Sequence, residues 1–315
     1  MKFLKKGFLF LAPMAGFTNS VCRSLFREYG ADGSVTEFVH SRAVLSGAGR
    51  VFEKMRIADS ERPVGVQLFG DDPAEMADAG KIVEERISPD FIDVNFGCPA
   101  PNAVSAGAGA ALLRNPEKMA AIILKMSSHI KIPVTAKLRL GWSSSEIIVP
   151  EACKLLQDSG VQMITLHGRT KTQGYTGDAD WNMIENCAKS LDIPLIGNGS
   201  VEKLSASELR DSACAGFMVG RAALGNPWIF CRIKKNMKGE AFIEPSPRER
   251  AALALKYAET LAGANFSGIS SADLTHAKGQ IMRFLRDGAG FKKLRRDMRD
   301  VLTIEELKEL LCEYV

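Results

Sequence analysis

The stretch "FIDVNFGCPAPNAVSAGAGAALL", residues 91–113, sets a thiol, Cys98, between a glycine and a proline where an apolar run ends. The chain has seven cysteines, and packing accounts for Cys22, Cys153 and Cys187 inside helical segments. Cys98 sits in a turn instead, where a thiol can face a ligand. Other residues of chemical interest also stand at the ends of apolar runs. Lys137, in "VTAKLRL", shares one strand face with Thr135 and Arg139. A lysine inside a strand is costly to bury without an anionic partner, which points to a ligand-facing role. Gln67 lies near the end of "VGVQLF", where it either ties off a strand or meets a ligand, and Asn95 precedes Cys98. His167 alone would read as a satisfied core residue, but directly before Gly168-Arg169 it reads as functional. Asn198, Gly199 and Ser200 in "GNGS", with Gly220 and Arg221 in "VGRAALGNP", offer small residues and free N–H groups at helix starts. Together they make an anion site, to which Arg221 adds charged donors.

These residues need a frame. Short apolar runs predict strands at 8–13, 33–37, 64–69, 91–95, 133–138, 162–166, 193–196 and 216–219. Helical periodicity fills the intervals at 18–29, 73–86, 116–129, 146–159, 180–189 and 201–211, with a less regular connection at 40–56. Cap-like Thr18-Asn19, Asp72-Pro73 and Asn115-Pro116 mark starts. Eight strand–helix units predict an α/β fold, a parallel (β/α)8 TIM barrel, in preference to an open doubly wound sheet. The G-x-G-x-x-G that would favour the open sheet is missing after the first strand. In a barrel the chemistry lies at the carboxyl face, where the singled-out residues fall.

After about residue 240 the pattern changes. "EPSPRER" reads as a linker, and 248–315 is helix-period throughout, a small C-terminal helical bundle. Residues 278–299 hold eight Lys/Arg, namely Lys278, Arg283, Arg286, Lys292, Lys293, Arg295, Arg296 and Arg299, against Asp287 and Asp297, a balance of +6. Over the whole chain the net charge is only +4, which by itself argues neither for nor against nucleic acid. No run approaches the ~18 apolar residues of a membrane span, and no C-x-x-C metal spacing occurs. The apolar run at 7–14 is too short for a signal peptide, so the expectation is a cytoplasmic monomer without metal or membrane.

A phosphate-bearing ligand that also wants a buried lysine suits flavin mononucleotide, FMN. Lys137 would face the ring edge that gains negative charge on reduction, with the backbone of Pro13, Met14 and Ala15 and the Gln67 amide at the other edge. A sugar phosphate held by Lys137 as a Schiff base is the second candidate.

The chain resembles the tRNA-dihydrouridine synthases. The matching stretches are "APMAGFTNSVCRSLFREYGADGSVTEF", "VGVQLFGDDP", "FIDVNFGCPAP" with "GAGAALLRNPE", "PVTAKLRLGW", "LHGRTKTQGYTGDADW", "IGNGSV" and "GFMVGRAALGNPWIF", in family order over residues 8–230. The resemblance implies an FMN-binding barrel over 1–240 and a helical tRNA-binding domain over 241–315. It implies reduction of the C5=C6 bond of particular uridines in tRNA, with NADPH reducing the flavin. Hydride would pass from flavin N5 to C6, and a proton from Cys98 on a mobile loop to C5. Asn95, Lys137, Arg139 and Arg169 are the expected substrate-binding residues. Pro13, Met14, Ala15, Gln67, Lys137, His167, Asn198, Gly199, Ser200, Gly220 and Arg221 are the expected cofactor-binding residues. The basic stretch from Lys278 to Arg299 is the expected RNA surface, whose binding would be salt-sensitive. Many members carry Lys or Arg just after the Cys-Pro pair, where this chain has Pro101, Asn102, Ala103 and Ser105. A reductase of a free pyrimidine and a non-catalytic RNA-binding relative are the alternatives.

Overall fold

Eight parallel strands close into a ring: β1 (Phe8–Leu11), β2 (Gly33–Val35), β3 (Val64–Phe69), β4 (Phe91–Phe96), β5 (Val134–Arg139), β6 (Ile164–His167), β7 (Leu195–Asn198) and β8 (Gly216–Val219), with β8 paired to β1. The structure is a computed structural model and describes residues 1–47, 49, 51–263, 271–286 and 291–313, so Asp287 of the basic stretch lies outside it. This is the (β/α)8 barrel that the alternating pattern predicts. Strand β2 resumes at Val39–His40, also paired to β3. Val35 faces Gly65 and Val39 faces Leu68, so three residues of one strand oppose two of the other, which is a bulge.

The helices between strands start where side chains satisfy their first N–H groups. Asn19 accepts from Cys22 N for helix Ser20–Glu28, and Asp72 from Ala74 N and Glu75 N for Pro73–Ile87. Asn115 caps Pro116–His129, and Asp180 caps Trp181–Ser190. Two predicted helices are shorter than expected. Residues 146–150 belong to a turn, bridged from Gly141 to Ile147, and the helix is Glu151–Asp158. The run Ser143-Ser144-Ser145 favours a turn over a helix, which explains the difference. Likewise 201–211 splits into a 3₁₀ turn, Val201–Lys203, and a helix, Ala206–Asp211, opened by a Ser205–Glu208 capping box.

The barrel interior is filled at its lower end by Phe8, Phe10, Val35, Phe91, Met163, Ile196 and Met218. The Phe8 and Phe10 rings lie 4.6 Å apart, and Phe91 meets Phe10 edge-on at 6.2 Å. Gly65 makes this possible, because a Cβ there would come within 2.1 Å of the Phe91 ring. The apolar plug leaves only the carboxyl end of the barrel free for polar side chains.

Helices Pro247–Gly263, Ser271–Phe284, Phe291–Asp297 and Ile304–Cys312 form the C-terminal bundle. Its Leu253, Ala254, Tyr257 and Ala258 share one continuous core with Leu25 and Phe26 of the first barrel helix. Among the described residues no helix is long and apolar enough to cross a membrane.

Candidate active site

A cavity of about 480 Å³ opens at the carboxyl face. It is lined by Pro13, Met14, Ala15, Asn95, Cys98, Lys137, Arg139, His167, Arg169, Asn198, Gly199, Ser200, Gly220 and Arg221, together with Phe17 and Tyr175. Thus every predicted catalytic, substrate and cofactor residue except Gln67 meets at one surface. The register explains part of this. Asn95 pairs with Lys137, Arg139 with His167, and His167 with Asn198, so neighbouring strands bring these side chains to similar heights. Arg139, His167 and Asn198 are the last residues of their strands rather than the first beyond them, so the ladder itself holds their backbones.

Gln67 lies one layer deeper and is fully buried. Its Nε2 donates to Asp93 Oδ2 at 2.7 Å, and its Oε1 accepts from Asn95 Nδ2 at 2.8 Å. The amide is engaged beneath the cavity floor, which differs from the expected contact with a ring edge. Asp93 was not singled out from the sequence. The same alternation that marks Asn95 in "FIDVNF" also marks Asp93 as an inward polar residue.

Cys98 is half-buried on a turn held by four hydrogen bonds. Asn95 Oδ1 accepts from Gly97 N at 3.1 Å and Cys98 N at 2.8 Å. Arg139 Nε donates to Gly97 O, and Ala110 N to Cys98 O, each at 3.0 Å. Gly109 permits the last contact: it has φ +58°, and a Cβ there would lie 2.9 Å from Cys98 O. Burial pushes the Cys98 thiol up, while the Ala100 N–H and the charges of Arg139 and Lys137 pull it down. The net direction is upward, so the thiol is protonated at neutral pH.

Lys137 Nζ donates to Asn198 Oδ1 at 3.0 Å, and Asn198 Nδ2 donates to Met218 O at 2.7 Å, which fixes that amide. Burial, with Arg139 adding to it, lowers Lys137 to about 8 against the opposing pull of Asp93 and Cys98. At pH 7 it still carries its charge. His167 is held well below its ordinary value by burial first, then by Lys137, Arg139, Arg169 and Arg221. It is therefore neutral. Arg169 Nη1 lies 3.2 Å from His167 Nε2 and can only donate, so Nε2 accepts and the ring proton sits on Nδ1.

Arg139 also donates through Nη1 to Thr170 O at 3.0 Å and Gly174 O at 2.9 Å. It is a strut between the Cys98 turn and the loop that carries Tyr175. Arg169 Nη2 donates to Gly177 O and Ser200 Oγ, while its Nε is buried with no partner. The helix starts expected after β7 and β8 are single 3₁₀ turns, Val201–Lys203 and Arg221–Ala223, too short for an appreciable helix dipole. Anion attraction there falls to Arg169, Ser200 and Arg221 and to turn N–H groups. The Arg221 guanidinium stacks over the Tyr175 ring at 4.0 Å. Tyr175 lies in a polar loop without periodicity, so no pattern in the sequence marks it.

Six of the eight basic residues expected at an RNA surface are exposed: Arg286, Lys292, Lys293, Arg295, Arg296 and Arg299. Lys278 and Arg283 are not presented outward. Lys278 Nζ donates to Val301 O, and Arg283 donates to Gly279 O while covering the Phe17 ring at 4.5 Å.

A closed parallel barrel with clustered ionisable groups at its carboxyl face defines a (β/α)8-barrel enzyme. The sequence profile of the family described as Dihydrouridine synthase (Dus) matches residues 10–314, and the chain belongs to that family. Its relatives include the probable tRNA-dihydrouridine synthase of Aquifex aeolicus (strain VF5), 39% identical over 78% of this chain and 77% of that protein. Those of Rickettsia conorii (37%; 80% and 77%) and Treponema pallidum (35%; 76% and 74%) are also similar. Among solved structures, 6-hydroxypseudooxynicotine amine oxidase from Pseudomonas geniculata N1 matches with a TM-score of 0.55 at 10% identity, over 75% of this chain and 48% of that one. This is a likeness of fold alone.

Proposed function

We propose that the protein reduces the C5=C6 bond of a uridine in tRNA to 5,6-dihydrouridine, using FMN reduced by NADPH, with Cys98 as the proton donor. The cavity suits the cofactor. Lys137 is a half-buried cation bonded to a neutral amide, and Arg169 Nε is a buried donor without a partner. Both call for an electron-rich, phosphate-bearing ligand. When bound, FMN supplies the hydride for C6. The protein's own groups do the rest. Arg169, Ser200 and Arg221 bind the phosphate, and the Lys137 ammonium stabilises negative charge that develops on the ring. The neutral His167 offers its Nδ1–H as a donor. Cys98 gives its proton to C5, and Arg139 and Lys137 stabilise the thiolate until solvent returns the proton. The target base must leave its stack to enter such a pocket. Residues 1–240 carry this chemistry, and the exposed basic residues of 241–315 hold the tRNA backbone.

The observation that carries this proposal is geometric: a turn hydrogen-bonded to Asn95, Arg139 and Ala110 presents the Cys98 thiol at the same cavity as Lys137, Arg169 and Arg221. In the test, NADPH-reduced protein is mixed anaerobically with an unmodified tRNA transcript and flavin reoxidation is followed by absorbance. Wild type reoxidises, while Cys98→Ala keeps its flavin and slows ~100-fold or more, the usual share of a general acid. A protein that cannot take up FMN, or a Cys98→Ala variant at the wild-type rate, would sink the proposal.

A further inference from the structure

We propose that Asp93 is a positioning residue for Cys98: acting through Gln67, it fixes which way round the Asn95 amide sits and so holds the Cys98 turn. The inference rests on the role proposed for Cys98. Asp93, Gln67 and Asn95 are all buried, at 1%, 0% and 7% exposure, and form one chain of hydrogen bonds that ends at the Cys98 backbone. Asp93 Oδ2 accepts from Gln67 Nε2 at 2.7 Å, and Gln67 Oε1 accepts from Asn95 Nδ2 at 2.8 Å. Asn95 Oδ1 then accepts from Gly97 N and Cys98 N.

A carboxamide has nearly the same shape either way round, so only its partners decide its direction. At the upper end two backbone N–H groups can only donate, and Asn95 must show them oxygen. Its NH₂ then points at Gln67, which must answer with oxygen, leaving the Gln67 NH₂ in need of an acceptor. Asp93 is that acceptor. Its other oxygen is occupied by the Thr135 hydroxyl at 2.6 Å. Without an acceptor at 93, the Gln67 NH₂ is a buried donor with no partner, the Gln67 amide loses its anchor, and its hold on the Asn95 amide loosens. The turn then has no reason to stay where it is. Asp93 does not line the cavity, so it reaches the site only through this chain or through its charge on Lys137.

Asp93→Asn and Asp93→Leu, prepared as flavin-loaded protein, separate direction from charge. Asparagine can still present oxygen to Gln67 and its NH₂ to the Thr135 hydroxyl, whereas leucine of similar size presents neither. Asp93→Asn is expected to keep kcat within ~3-fold. Asp93→Leu is expected to lose ~30- to 100-fold in kcat, the scale of an ångström's misplacement, with KM for tRNA and flavin content near wild type. Alkylation of Cys98 by iodoacetamide, followed by peptide mass, should quicken several-fold in Asp93→Leu alone. If both variants lose kcat equally, Asp93 serves to balance the charge of Lys137 and the proposal is overturned. Unchanged Cys98 alkylation in Asp93→Leu also overturns it. Should Asp93→Leu not fold, Gln67→Met interrupts the same chain, and an unchanged alkylation rate there is equally contrary. Alkylation reads the turn whether or not Cys98 is the acid, so failure of the catalytic role is seen separately, as full kcat in Cys98→Ala.

Discussion

Lys137 is a half-buried cation at the cavity, bonded to no carboxylate among the described residues, and its charge is the site's most conditional feature. Its value of about 8 in the free protein means that it deprotonates just above neutrality. A ligand that draws on the charge binds best while Lys137 is protonated, and in binding it raises that value. FMN affinity of the apoprotein, read by flavin fluorescence, should therefore be greatest below pH 8 and fall as pH rises through it. Lys137→Met should bind FMN ~10-fold more weakly at pH 7 and flatten this dependence. A mutant with the wild-type slope would assign the titration to another group. Lys137 was legible in the sequence because it interrupts an apolar strand, and His167 and Arg169 because they stand at the end of one. Asp93 obeys the same rule but stands beside the more conspicuous Asn95 and Cys98. Tyr175 lies in a loop tied down by Arg139 from the neighbouring strand, a contact distant in sequence that no local pattern encodes.

At the level of elements, the loop after β1 supplies one wall of the cavity through Met14, Ala15 and Phe17. It is held from both sides. The buried Arg23–Glu61 pair supports it from the barrel, with Arg23 Nη1 donating to Thr18 O at 2.7 Å. From the bundle, Gln280 Nε2 donates to Phe17 O at 3.0 Å, and the Gln280 Oε1 is buried without a partner. Gln280→Leu loses one hydrogen bond but also removes that orphaned acceptor. Its thermal stability should stay within ~1 kcal/mol of wild type while FMN retention weakens several-fold. Equal loss of both would mean that Gln280 only stabilises the fold. The alternation of strands and helices was readable because each strand is a short, mostly apolar run and most helices carry a side-chain cap. What was not readable were the tight pieces near the site: the 143–150 turn and the two 3₁₀ turns. There, local side-chain hydrogen bonding and close packing override helical periodicity.

For the molecule as a whole, the C-terminal bundle is continuous with the barrel core. Tyr257 is fully buried and shares that core with Phe26 and Phe284. Truncation near residue 245 should therefore expose apolar surface and cost the barrel its flavin, instead of releasing an active catalytic domain. Charge reversal is the cleaner probe of RNA binding. A Lys292→Glu, Arg295→Glu, Arg299→Glu triple variant should keep its flavin and thermal stability while KM for tRNA rises at least ~10-fold. Its log–log dependence of tRNA affinity on salt should flatten by about one unit for each phosphate that is no longer neutralised. Unchanged salt dependence would place the RNA-binding surface elsewhere. The basic stretch was visible in composition, but its division into six outward residues and the inward Lys278 and Arg283 depends on how the bundle packs. The measurement closest to the central claim is nucleoside mass analysis of an unmodified tRNA transcript after incubation with the flavin-loaded protein and NADPH. Wild type should yield dihydrouridine at a defined position, and Cys98→Ala, with the same flavin content, should yield almost none. Uridine left unreduced by the wild-type protein, or dihydrouridine formed equally by Cys98→Ala, would contradict it.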